Sequence, residues 1–147
     1  MDEQGPGGYC SGITLAFQQR TTDMSQQLTR REKLRQERLD AYSTYAGALV
    51  NYRRCLVHLW FCEHEQPPPE DPEAVRVRSY GLRSNAQEAL FRLQMLTDDE
   101  TLSQAAEDLL ADITTVTKAE NRAEYEAIRA QTHDGISRLI RAAKQHL

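Results

Sequence analysis

Apolar side chains recur every three or four residues along most of this chain, and the longest such run organises the rest. Leu39, Tyr42, Ala46, Leu49, Leu56 and Trp60 keep that spacing, with Arg53 the one polar member of the series. Ala41, Tyr45, Tyr52 and Leu59 widen the stripe on one flank. This is the pattern of a helix that turns one face into a bundle. Just upstream the character changes. Met24, Leu28 and Leu34 stand among Arg30, Arg31, Glu32, Lys33, Arg35, Glu37 and Arg38. A helix this polar is a solvated extension or part of an intermolecular coiled coil. Both halves belong to one predicted helix over 21–65. Arg53 has two readings, a partly buried ion pair with a neighbouring helix or a side chain that snorkels to water.

Pro67, Pro68 and Pro69 cannot continue this helix. The acidic segment 63–72 therefore reads as a linker, most simply a stiff spacer. Asp71 as N-cap, Pro72 at the first helical position and Glu73 in the first turn open a second helix over 72–96. Gly81 weakens it by about 1 kcal/mol relative to Ala, which points to close approach of another helix. Thr97 to Glu100 matches a capping box and opens a third helix over 98–117. Thr117 and Glu120 form a second such box, so the chain breaks there before a fourth helix over 118–146. His133-Asp134-Gly135 is a predicted kink or split within it.

Helices of these lengths joined by short connections favour antiparallel neighbours. The expected fold is all-α: an up-down bundle of about four helices with a long, projecting first helix, behind a flexible N-terminal tail over 1–20. The expected core is Leu39, Tyr42, Leu49, Leu56, Trp60, Leu90, Leu93, Leu109, Ile113, Ile136 and Ile140.

Composition supports a helical protein. The 147 residues are 39% hydrophobic and 27% charged, with only 7 Gly and 5 Pro, which argues against disorder or an all-β sandwich. A net charge of −4 gives no overall pull towards nucleic acid. Its distribution matters more: Arg30, Arg31, Lys33, Arg35 and Arg38 crowd one stretch and are the candidate interaction residues. An anionic membrane surface is one candidate partner for them. Nucleic acid is disfavoured, because Glu32 and Glu37 interrupt the run and it lacks aromatics for base stacking.

No catalytic or metal-binding motif emerges. Cys55, His58, Cys62 and Glu65 fall on one helix face. However, Cys55 and Cys62 are about 10 Å apart along the axis at 1.5 Å per residue, too far to share one zinc ion or a disulfide. Glu-x-x-His, which a carboxylate-bridged metal bundle would need, does not occur. A nucleophile–base pair such as Cys62 with His64 or His133 would have no Gly-rich elbow to hold it. No glycine falls in a phosphate-binding pattern. The expectation is therefore no enzyme and no cofactor. Three cysteines without secreted-scaffold spacing point to a reducing cytoplasm.

The run RREKLRQERLDAYSTYAGALVNYRRCLVHLW, within Gln18 to Trp60, resembles a pattern in uncharacterised actinobacterial helical proteins. In those an N-terminal membrane anchor precedes a basic helix and a small helical domain. The resemblance implies a single-pass anchor followed by a cytoplasmic helical domain; this chain departs from the pattern in lacking the spanning helix, of which Ile13 to Phe17 is at best a remnant. It carries no functional residues. The leading expectation is a non-enzymatic interaction or scaffold module that self-associates through its first helix. The alternatives are a membrane-anchored cytoplasmic domain with a basic juxtamembrane helix, and a ligand-binding regulatory bundle. The ligand for that last reading is unspecified, and it requires a sizeable apolar cavity between the helices.

Overall fold

The computed structural model describes residues 5–147, with side chains from residue 12 onward. Four α-helices form among the described residues: α1 (Gly5–His64), α2 (Pro72–Leu96), α3 (Glu100–Thr114) and α4 (Arg122–Lys144). A 3-10 turn, Thr115–Lys118, separates α3 from α4. The chain divides into two compact units, residues 1–36 and 37–147.

The second unit is an up-down bundle, and α1 supplies its central helix. Tyr45 Oη donates to the Ala106 carbonyl (2.6 Å), and Tyr52 Oη lies 3.1 Å from Thr114 Oγ1, so α1 and α3 run parallel. Arg38 reaches Leu96, whereas Cys55 reaches Val75, which makes α2 antiparallel to α1. Trp60 stacks on Tyr125 at 4.3 Å, whereas Tyr42 reaches His146, so α4 is antiparallel as well. Buried aromatic residues need a partner for their polar atom. Tyr45, Tyr52 and Trp60 each find one, Trp60 Nε1 donating to the Ala119 carbonyl at 3.0 Å, whereas the buried Tyr125 hydroxyl has no partner among the described residues. Burial pushes the Tyr45 hydroxyl well above the ordinary tyrosine range.

Of the expected core, Tyr42, Leu49, Leu56, Trp60, Leu90, Leu93, Leu109, Ile113 and Ile136 are buried. Leu39 and Ile140 are not; they are 42% and 45% exposed. Both line an open apolar groove together with Tyr42, Leu93, Leu139 and Leu147. Ala41, Tyr45, Tyr52 and Leu59 are all buried, whereas the main series includes the exposed Leu39 and the half-buried Ala46, so the face that periodicity treated as a flank is the buried centre.

Helix ends differ from expectation for local reasons. The first helix starts at Gly5, so residues 5–20, expected as tail, are helical; residues 1–4 lie outside the described residues. Pro6 falls in its first turn, where a missing N–H leaves no intrahelical acceptor unpaired. Asp71 occupies the N-cap of α2 but its side chain makes no capping bond; Pro72 pre-sets the turn instead. The cap of α3 is Asp99 rather than Thr97, its Oδ1 accepting from Leu102 N at 2.6 Å. Thr97 is taken up in ending α2, its N–H donating to the Leu93 carbonyl. At α4 the cap is Asn121, which accepts from Glu124 N at 2.9 Å, while Glu124 accepts from Glu120 N.

Through His133-Asp134-Gly135 α4 runs unbroken. Gly135 is there for space: a Cβ would stand 2.7 Å from Leu109 Cδ1 on α3. Gly81, expected to serve such an approach, has nothing within 4 Å of its Cβ position. In the linker, Arg76 binds Glu63 at 2.7 Å, and Glu70 is held by both Arg78 and His58. The Arg78 contact, then that of His58, keeps the Glu70 carboxyl below its usual range.

Gly81→Ala should therefore stabilise the protein by up to about 1 kcal/mol through helix propensity alone. Gly135→Ala should fall short of that gain, since Leu109 must shift. Urea unfolding of the two variants measures the difference, and equal gains would contradict the packing role of Gly135.

Candidate interaction surfaces

Residues 5–36 of the first unit are helical, and the large apolar side chains described there, from residue 12 onward, face solvent. Ile13 and Phe17 are each 71% exposed, Met24 is 64% and Leu28 62%. At 3.6 residues per turn these four positions fall within one narrow stripe, because steps of 4, 7 and 4 residues all come close to whole turns. Thr21, Thr22 and Thr29 bond the carbonyl four residues earlier, so their hydroxyls are satisfied within the helix. Among the described residues no helix is long and apolar enough to cross a membrane. The stripe is an amphipathic feature of a polar helix.

The basic candidates split into two groups. Arg30, Arg31, Lys33 and Arg35 are exposed, with Arg35 3.8 Å from Glu32. Arg38 belongs to the bundle. Its Nε donates to the Leu96 carbonyl at 2.8 Å and its Nη2 to Asp98 at 3.1 Å, so it caps the end of α2. An arginine in a basic run and an arginine capping a distant helix look identical in sequence.

Other polar positions resolve similarly. Arg53 donates to Thr132 Oγ1 (2.9 Å) and the Arg129 carbonyl (2.8 Å); neither partner is a carboxylate. Burial, reinforced by the charge of Arg129, lowers its pKa. Cys62 is buried, with its Sγ 3.6 Å from His58 Nε2. That same nitrogen lies 3.1 Å from Glu70. His64 does not serve Cys62 but stacks on Trp60 at 4.1 Å. Among the described residues no three His, Cys, Asp or Glu side chains converge as metal ligands. The apolar groove encloses about 220 Å³. That is small beside the roughly 300–1,000 Å³ of ordinary ligand sites.

Sequence reasoning missed the stripe. It took Ile13 and Phe17 as the end of an anchor, and Met24 and Leu28 as isolated apolar residues. The signal was present as the 4, 7, 4 spacing across the two groups.

Replacing Arg38 by Ala should cost about 1–2 kcal/mol, since it leaves the Leu96 carbonyl without its charged donor. Replacing Arg31 by Ala should stay within about 0.5 kcal/mol. Chemical denaturation distinguishes them, and equal effects would return Arg38 to the exposed basic group.

Comparison with known proteins adds one finding. A family model described as KilB plasmid transfer protein matches residues 39–147, which lie within the second unit and exclude the first. No curated protein and no solved structure matches the chain.

Proposed function

The chain belongs to the KilB plasmid transfer protein family, and from that premise we propose that it acts in plasmid transfer as a non-enzymatic helical assembly component. It self-associates through residues 12–36 of α1, and the bundle is its folded body. The observation that carries this reading is the stripe of Ile13, Phe17, Met24 and Leu28, exposed along one face of the helix, with Leu15 and Leu34 exposed off it. Scattered apolar residues are ordinary on a surface, but four aligned on one helix face form a docking ridge.

Complete burial of such side chains stabilises by roughly 1.5–3 kcal/mol each. Association costs about 4–15 kcal/mol in lost freedom. Four side chains from each of two copies supply the apolar surface whose burial opposes that cost.

A second reading uses the charge of the same stretch. Residues 12–36 hold five basic residues (Arg20, Arg30, Arg31, Lys33, Arg35) and two acidic ones (Asp23, Glu32), a net of +3. An amphipathic helix of that charge binds anionic lipid in a salt-sensitive way.

Light scattering at tens of micromolar decides between the readings. The whole chain should exceed its 16.8 kDa monomer mass. The double variant Phe17→Asp, Met24→Asp should return to that mass with its melting temperature unchanged. A wild-type monomer at every concentration would refute self-association. Salt-sensitive binding of that monomer to anionic vesicles would establish the lipid reading in its place.

A further inference from the structure

We infer that two copies pair antiparallel along the first unit, about a two-fold axis between Arg20 and Thr21. This rests on the self-association proposed above and specifies its geometry. Steps of 4, 7 and 4 residues read the same in both directions. Reversing one helix about the midpoint of residues 20 and 21 therefore sets Ile13 against Leu28 of the second copy, and Phe17 against its Met24. Every apolar member of the stripe meets an apolar partner.

Charge decides against the parallel alternative. The stripe continues in Arg31 and Arg35, each seven residues beyond Met24 and Leu28. In a parallel, in-register pair these guanidinium groups would face their own copies, a repulsive arrangement at an otherwise apolar seam. A parallel pair shifted by 11 residues would avoid this but match only half of the stripe. In the antiparallel pair Arg31 and Arg35 lie towards opposite ends of the seam from their own copies and do not face them. The same operation carries residue 5, where α1 begins, onto residue 36, where the first unit ends. The overlap thus spans the helical part of that unit and stops where the bundle sequence starts. The result is an isologous two-fold interface, which closes at a dimer.

Spin-label distances test this directly. A nitroxide is placed on Gln36→Cys in the whole chain, with Cys10→Ser; Cys55 and Cys62 are buried and do not label. An antiparallel pair separates the two labels by roughly 45–50 Å at 1.5 Å per residue. A parallel pair brings them within roughly 10–20 Å. A dimer showing any distribution other than the long one overturns the antiparallel geometry and leaves self-association standing. A monomer removes both. If the label itself weakens pairing, native mass spectrometry supplies a second test. Wild-type chain mixed with the Arg31→Glu, Arg35→Glu variant should form dimers in statistical proportion. Enrichment of the mixed dimer would mean that these positions face each other, and the antiparallel pair would be wrong.

Discussion

Tyr45, Tyr52 and Trp60 lie on one side of α1, buried, and each carries a polar atom that cannot be left without a partner. The partners come from the Ala106 carbonyl, the Thr114 hydroxyl and the Ala119 carbonyl. These contacts fall in the same order along α1 as along the segment from α3 to just past the turn after it, so they fix the helices in register as well as in proximity. A one-turn slip would bury three unsatisfied donors. Trp60 then supplies the surface on which Tyr125 stacks and so sets the entry of α4. The bundle is built outward from this ridge.

That constraint explains why α1 has two characters. From Ala41 to Trp60 one face of the helix is saturated with partners from its own chain. From Ile13 to Leu28 the four apolar positions of the stripe keep helical phase but are exposed. The family match starts at residue 39 and so covers the saturated part alone. The folded body is the part recognisable as a plasmid transfer protein, and the first unit is where this chain's own associations are to be sought. The groove beneath Leu39 and Ile140 is a weaker candidate, since it is small and open.

Much of the bundle was legible because its determinants are local. Pro67 to Pro69 end a helix wherever they occur, and Pro72 starts one in any context. The period of the apolar residues gave the number and order of the helices. Caps were less legible, because several residues near each helix start compete for one role. Thr97 fitted a capping box, yet its backbone was already used in ending α2, and Asp99 took the position. Gly81 and Gly135 are alike in sequence; only the neighbour, open solvent or Leu109, separates them.

The candidate surface follows the same division. The sequence by itself determined that the protein is helical, where its helices break, and that the front of α1 is basic and sparsely apolar. These follow from backbone propensity and side-chain period, which act over one or two turns. Only the tertiary structure decided which apolar residues are covered, that Arg38 is a cap while Arg31 is exposed, and that Arg53 bonds a hydroxyl and a carbonyl. Those facts depend on groups brought together across 58 to 79 residues of chain, and no local pattern encodes such a distance.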